Sequence, residues 1–520
     1  MRFLVTQPSS DAERYHREGL WTDDTVPGLI RAQAARTLDR PAIVEAGRRL
    51  TWSQLAAGVE RAARLLAGAG VDRGDALIVR LRDSAEFVVA YAAAHAVEAV
   101  AVPVLATSGE SEIAAIVERM GVRAYAGPDE DWACLAGLQR LRLDAPGLWD
   151  PSPPPVTGYR PDPDALAEVM FTSGTTGRPK GVMNSANTKL AGLRGFLSTL
   201  AVTADDVWAV LAPMAHNAGW LYSYLPALQS GATAVIVGRG DSERMLDTLA
   251  AEGATIAFLV PTHAFDLMNA WRSQPGRWSL KLRYVITGAA ACPPGLMEAM
   301  KSEWGVEPIS MYGMTECQGN LFTRPGDPIE VVAGTVGRAC PGVEVALRSP
   351  VDGSLVSGDG AQGEVVTRGA LVYLGYYDDQ AGTAASFTKD GWFRSGDIGQ
   401  YTDESIKIVG RIKEVVLRGG ATIVPDDVEV ALLGCAGIDE LSVCGLPDER
   451  LGEILCACVV GTATLAEMHA HLERKGVGRK LWPDAVVYFD AFPRTGVGKV
   501  QRGALARLAG ERRAGGEVPA

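Results

Sequence analysis

Short apolar runs alternate along the chain with segments whose apolar residues recur every three or four positions, and this alternation predicts layered strands and helices. Residues 75–81 (DALIVRL), 232–237 (ATAVIV), 254–260 (ATIAFLV) and 282–288 (LRYVITG) read as short buried strands, with helix-patterned stretches between them. Residues 111–121 (SEIAAIVERMG) have helical spacing and stop at a glycine. The most apolar long stretch, 87–105, is interrupted by His95, Glu98 and Pro103. A membrane span needs about 20 apolar residues with few charges. The stretch therefore reads as a buried helix leading into a strand at 100–104, and no membrane span is expected.

The texture changes after about Gly334. Residues 363–369, 405–410 and 414–420 read as short strands, with turn signals at Asp352-Gly353 and Asp390-Gly391, so a β-rich subdomain is expected. A Pro-rich piece, 150–165, reads as a loop. Beyond Arg411 helix and strand mix again for about a hundred residues, enough for a small separate domain. The expected fold class is α/β. A large N-terminal domain of layered sheets with the β-rich subdomain spans 1–412, and a small mobile C-terminal α+β domain spans 413–520.

Composition narrows the function. The chain has 520 residues, 47% hydrophobic and 22% charged, ample material for large cores. Its formal charge of -12 repels a polyphosphate backbone and no long basic run offsets it, so no nucleic-acid partner is expected. The eight cysteines form no CxxC pair and no zinc spacing. They read as small apolar thiols in a reducing compartment, with Cys456 and Cys458 inside a buried strand (ILCACVV). The N-terminal apolar run is too short for a signal peptide, and a cytoplasmic location follows.

The chemistry sits in a few short strings. Residues 171–181, FTSGTTGRPKG, follow a strand-like EVMF. Glycines let backbone N–H groups approach phosphate oxygens, hydroxyls add donors, and Lys180 adds a mobile positive charge. Pro179 breaks any Walker A pattern. From the residues alone this loop reads equally well as a plain turn. In Tyr312-Gly-Met-Thr-Glu316 the tyrosine offers a face for stacking, Thr315 a donor and Glu316 a hard oxygen ligand for Mg²⁺. Asp397, in Arg394-Ser-Gly-Asp397, has two acceptor oxygens that match a vicinal diol. Taken singly, each of these strings also reads as a surface turn.

Together and in this order they resemble the adenylate-forming superfamily: acyl-CoA synthetases, aryl-acid ligases, peptide-synthetase adenylation domains and beetle luciferases. The resemblance runs from about Thr51 to Arg502. It implies that Thr172, Ser173, Gly174, Thr175, Thr176 and Lys180 form the phosphate loop. It implies that Gly288, Ala289, Ala290 and Tyr312 lie at the adenine, with Gly288 also at the acyl pocket. Thr315 meets the α-phosphate, Glu316 holds Mg²⁺, Asp397 takes the ribose hydroxyls, and Arg411 lies near ribose and phosphate. Lys413 becomes the interdomain hinge and Gly419 and Gly420 border a pantetheine tunnel. Lys499, in Pro493-Arg-Thr-Gly-Val-Gly-Lys499, becomes the adenylation catalyst. The strings 445–448 (GLPD) and Gly452-Glu453 match the small domain's pattern. Two departures stand out: Asn184 where many relatives have histidine, and Asp427 where a glutamate is usual.

The implied activity joins a carboxylic acid to ATP as acyl-AMP and then passes the acyl group to the thiol of coenzyme A, with ATP, Mg²⁺ and CoA as cofactors. Residues 213–220 (PMAHNAGW) resemble the segment that lines the acid pocket, particularly in aryl-acid adenylating enzymes, which points to His216, Asn217 and Trp220 and to a compact, cyclic or aromatic acid. Residues 15–21 resemble that branch and the cyclic-acid CoA ligases. Trp220 reads equally well as core. Two alternatives remain: an aryl-acid enzyme loading a carrier-protein phosphopantetheine, with a place in secondary metabolism, and a non-catalytic nucleotide-binding relative. Retention of Lys499, Glu316, Asp397 and Arg411 argues against the last.

Overall fold

A computed structural model describes residues 9–145, 147–151, 160–172, 179–238, 240–290, 292–412, 415–418, 421–494 and 500–514. The chain forms two compact units, Met1–Val345 with Thr367–Phe393, and Ala346–Val366 with Arg394–Ala520.

The first unit is built on two sheets. In the nine-stranded sheet, Pro41–Glu45, Thr233–Ile236, Val207–Val210, Ile256–Leu259, Tyr284–Thr287 and Glu307–Met314 run parallel in that spatial order, with antiparallel strands at both edges. In the seven-stranded sheet, Leu166–Thr172, Val100–Pro103, Ala76–Val79 and Ala124–Ala126 are parallel neighbours. The sequence predicts Ala76–Val79, Val100–Pro103, Thr233–Ile236, Ile256–Leu259 and Tyr284–Thr287 to within two residues at either end, because parallel strands are covered on both faces and so read as continuous apolar runs. Two helices lie between the sheets. Trp52–Gly68 packs on the first sheet's edge, and Ala85–Ala96, buried at every position but Glu86, packs on Ala76–Val79 and Val100–Pro103. The expected buried helix at 87–105 is thus present, and Glu98 turns the chain with a φ of 59°. The helix Glu110–Met120 ends where expected, at Gly121 in the left-handed region.

The second unit contains a sheet that pairs Phe393–Thr402 antiparallel with Ser405–Arg411. A second sheet pairs Ile438–Asp448 with Gly452–Gly461 and adds Ala485–Tyr488 in parallel. Ile398 of the first sheet packs with Val415 and Val424, which explains why 394–412 group with the C-terminal residues. The expected buried strand holds Cys456 opposite Cys444, and both thiols are buried with Cys458 in one apolar cluster. Among the described residues no helix is long and apolar enough to cross a membrane.

Thr51 closes the N-terminus of the helix Trp52–Gly68 with a reciprocal pair of bonds: its hydroxyl accepts from Gln54 N at 3.2 Å, and Gln54 Oε1 accepts from Thr51 N at 2.9 Å. Thr51→Ala removes the acceptor of Gln54 N, while the N–H of residue 51 can still donate to Gln54 Oε1, and is expected to lower stability by about 1 kcal/mol. A fall in the urea unfolding midpoint checks it.

Candidate active site

Two of the sequence motifs of the first unit meet at one tyrosine. The strands Leu166–Thr172 and Lys180–Ser185 pair antiparallel, with Thr172 opposite Lys180, so the threonine-rich loop is closed at its base. Ser173, Gly174, Thr175 and Thr176 lie outside the described residues. Arg119 clamps that base: it donates to the carbonyls of Pro179, at 2.8 Å, and of Tyr377, and lies over the Phe171 ring at 5.7 Å. Lys180 Nζ sits 4.3 Å from the centre of the Tyr376 ring. The Tyr376 hydroxyl donates to Glu316 Oε1 at 2.8 Å, and Tyr373 N donates to the Glu316 carbonyl at 2.8 Å. Burial, then the Glu316 charge, push the Tyr376 hydroxyl far above its ordinary range, so it stays a donor.

Glu316 is delivered by a tight turn between Glu307–Met314 and Gln318–Phe322. The register slips between Tyr312 and Gly313, and Thr315 and Glu316 sit in the turn that follows, partly exposed. Gly313 is obligatory there, since a Cβ on it would lie 1.6 Å from the Gln318 carbonyl oxygen. Next to this strand, Gly288 follows Tyr284–Thr287 and is buried, while Ala289 and Ala290 are exposed. A Cβ on Gly288 would lie 3.0 Å from both the Met311 carbonyl and the Phe258 ring. Ala289 takes a φ of 66°, strained for a side-chain-bearing residue. These groups lie just past the C-terminal ends of parallel strands, where open α/β sheets bind ligands.

The segment 213–220 lies beyond another parallel strand, Val207–Val210. Asp83 Oδ1 accepts from Met214 N at 2.7 Å and anchors it. His216 is exposed and Asn217 partly so. Trp220 is different. It is fully buried, stacked on Tyr224 at 5.0 Å and packed on Tyr91 at 4.3 Å and Phe87 at 5.7 Å. This is the core reading of Trp220: the residue opens a π-helix, Trp220–Tyr224, that turns its indole into the inter-sheet layer and leaves it no face toward a bound acid. Tyr222 of the same turn stacks on Phe258 at 6.0 Å, so the acid segment and Gly288 share an aromatic wall.

In the second unit Asp397 and Arg411 are register partners on adjacent strands. Arg411 Nε lies 3.0 Å from Asp397 Oδ1; the carboxylate is buried and the guanidinium 61% exposed. Lys413, Gly419, Gly420 and Lys499 lie outside the described residues.

Sequence reasoning missed Tyr376, Tyr373 and Arg119, whose partners are distant in the chain. Asn184, one of the two departures from the family pattern, is well partnered. That amide is buried, donates to Glu168 Oε1 at 3.4 Å and accepts from Thr188 Oγ1 at 3.3 Å.

The closed base of the threonine-rich loop and the turn that carries Glu316, both at the C-terminal ends of parallel strands, fit a nucleotide-using enzyme. A family model described as AMP-binding enzyme matches residues 30–377, and one described as AMP-binding enzyme C-terminal domain matches 427–499. The chain belongs to the AMP-binding enzyme family. It is 31% identical to a 3-[(3aS,4S,7aS)-7a-methyl-1,5-dioxo-octahydro-1H-inden-4-yl]propanoyl:CoA ligase of Rhodococcus jostii, covering 92% of this chain and 98% of the relative. It is also 31% identical to a salicyl-AMP ligase / salicyl-S-ArCP synthetase of Mycobacterium tuberculosis, covering 98% and 94%. Among solved structures it resembles ATP-bound MatB from Rhodopseudomonas palustris, with a TM-score of 0.77, 26% identity and coverage of 93% and 99%. It also resembles apo MbtA of Mycobacterium smegmatis, with a TM-score of 0.71, 30% identity and coverage of 96% and 98%.

Gly313→Ala drives a methyl into the Gln318 carbonyl and must displace the turn that carries Thr315 and Glu316. Affinity for AMP, measured by titration calorimetry, is expected to fall about tenfold or more, ~1.4 kcal/mol.

Proposed function

We propose that the chain is an AMP-forming acid–CoA ligase that first makes an acyl-adenylate from a carboxylic acid and ATP and then transfers the acyl group to the CoA thiol. The observation that carries this reading is the linkage of Lys180, Tyr376 and Glu316, which ties the phosphate-loop motif to the carboxylate turn within one unit. Relatives named as CoA ligases for medium-chain, bicyclic and sulfonated acids support the acceptor.

A carboxylate is a poor acyl donor because its leaving group is oxide. Attack of its oxygen on the α-phosphorus of ATP, in line with departing pyrophosphate, converts it to a mixed anhydride with AMP. Both reactants are anions, so catalysis rests on charge neutralisation and alignment rather than on a general base. In this reading Lys180, Thr172 and the threonine-rich loop 173–176 face the phosphates, and Thr315 donates to the α-phosphate. Tyr312, Gly288, Ala289 and Ala290 flank the adenine, and Asp397 takes the ribose diol with Arg411 beside it. Glu316 fits a divalent cation: a carboxylate that accepts one bond from Tyr376 has further lone pairs to offer a hard ion. Mg²⁺ bound there would add positive charge beside the phosphates. Lys499 neutralises the charge that develops as pyrophosphate leaves. For the second step the C-terminal residues pivot at Lys413, and Gly419 and Gly420 line the path of the pantetheine thiol. His216 and Asn217 face the acid, and the location is cytoplasmic.

A second reading, loading of a carrier-protein phosphopantetheine with an aryl acid, is favoured by the similarity to the salicyl-AMP ligase. Pyrophosphate release from ATP with a panel of acids, followed by mass spectrometry for acyl-CoA, tests the proposal. Pyrophosphate without acyl-CoA would favour the carrier reading, and no pyrophosphate with any acid would overturn both.

Lys499→Ala is expected to cut adenylation by on the order of 10²–10³ and to spare thioester formation from supplied acyl-AMP. Single-turnover assays of each half-reaction check it, and equal loss in both contradicts the role. Lys413→Pro is expected to slow the thioester step more than adenylation, and the reverse ranking counts against a hinge there.

A further inference from the structure

Three thiols converge on one face of the sheet that pairs Ile438–Asp448 with Gly452–Gly461. Cys444 lies on the first of these strands and its register partner Cys456 on the second. Cys458 stands two residues beyond Cys456, so strand alternation turns both to the same side. The sulfurs of all three lie within 4.8 Å of one another, with Cys444 Sγ and Cys458 Sγ at 3.7 Å. The intervening residues Val443, Leu455, Ala457 and Val459 pack into the core on the opposite face. All three cysteines are free and buried, and the helix Arg502–Ala514 covers them through Leu505 and Ala509, with Phe489 and Phe492 in the same cluster. A lone buried cysteine serves as a small hydrophobe. Three whose sulfurs meet form a ligand set.

Thiolate is a soft ligand and selects soft ions. At an ion–sulfur distance of about 2.3 Å, as in zinc thiolates, sulfurs around one ion stand roughly 3.4–4.0 Å apart. Cys444 and Cys458 already have that spacing. Coordination number and charge then choose among the soft ions. Zinc in a closed site takes four ligands. Here three sulfurs under an apolar cover offer no fourth. Zinc on three thiolates would also leave one negative charge among apolar side chains, and copper(I) would leave two. Arg502, at the start of the covering helix, is already paired with Asp426 and Glu429 and cannot balance such a charge. An unmatched buried charge is costly. A trivalent ion on three thiolates is neutral.

We infer that Cys444, Cys456 and Cys458 form a binding site for a trivalent thiophilic metalloid of the arsenite class. Arsenous acid, As(OH)₃, is itself neutral, so it passes the apolar cover with no charge to bury. On binding, three As–O and three S–H bonds break and three As–S bonds form. Each hydroxyl leaves with one thiol proton as water, arsenic stays trivalent, and nothing is oxidised or reduced. Three thiol hydrogens leave the cluster as one atom enters it, so little new volume is needed. The bound atom staples Ile438–Asp448 to Gly452–Gly461. The site shares no residue with the groups assigned to nucleotide, acid or CoA, and it stands apart from the ligase reading.

The test uses the full-length chain, reduced with a phosphine and freed of dithiols, with sodium arsenite as the probe. Native mass spectrometry is expected to show a gain of one arsenic atom less three hydrogens. X-ray absorption at the arsenic edge is expected to show three sulfur neighbours and no oxygen, and excess arsenite to raise Tm by about 2 °C or more. Cys444→Ala, Cys456→Ala and Cys458→Ala each remove one ligand and are expected to weaken arsenite binding about a hundredfold or more, since losing a ligand costs at least as much as losing a partner behind one. Cys134→Ala/Cys292→Ala, at the two partly exposed cysteines, is expected to leave binding unchanged. Should a ligand variant not fold, the sulfur count on the unaltered chain still decides. No arsenic on the chain, two sulfurs with an oxygen, binding that survives the ligand variants, or loss of binding in Cys134→Ala/Cys292→Ala overturns the inference. Uptake of zinc where arsenite is refused overturns it as well.

Discussion

The hydroxyl of Tyr376 on the Glu316 carboxylate is the contact through which the first unit's motifs become one site. A lysine and a glutamate that met directly would neutralise each other. Here a tyrosine stands between them, taking the Lys180 ammonium on its ring face and giving its proton to Glu316. A cation–π contact leaves the ammonium's hydrogens free for other acceptors. A single hydrogen bond leaves most of the carboxylate's lone pairs free for a cation. The ring thus keeps two opposite charges close and both available, which is what a reaction between two anions requires. The pairing of Gly375–Tyr376 with the strand Lys180–Ser185 fixes the ring, with Tyr376 opposite Val182.

The parts legible in the sequence were those whose cause is local. Buried parallel strands show as apolar runs, the end of a helix shows as Gly121, and the loop and turn motifs show as strings of glycine and hydroxyl residues. Tyr376 and Arg119 were invisible because what makes them functional is a partner far away in the chain. Trp220 could be read either way from a short string, and the π-helix that buries it depends on packing between two sheets. Lys189, whose Nζ lies 2.7 Å from Oε1 of the buried Glu168, was hidden for a related reason. A lysine in a helix ordinarily marks the solvent face, but residues 186–193 of this helix are buried all round, and only tertiary structure reveals that the charge points inward.

The second unit treats charge in the opposite way. Asp397 and Arg411 are paired by strand register, yet the guanidinium is mostly exposed. With the cation in solvent, such a pair is screened and adds little stability. In the proposed role an incoming diol can therefore take the carboxylate's oxygens at small cost, with the arginine still close by. Where the first unit invests in a buried and fully partnered pair, this one keeps its partners easily exchanged.

That contrast bears on how an acid can be recognised without being disabled. A bare lysine in the acid pocket would bind the reacting carboxylate tightly in its ground state, and binding of that kind does not lower the barrier to attack. Lys189 donates to Asn217 Oδ1 at 2.5 Å, and pairing it with Glu168 removes the net charge there. Positive charge can be kept for the phosphate side of the reaction, where Lys180 already lies and where Lys499 is proposed to act.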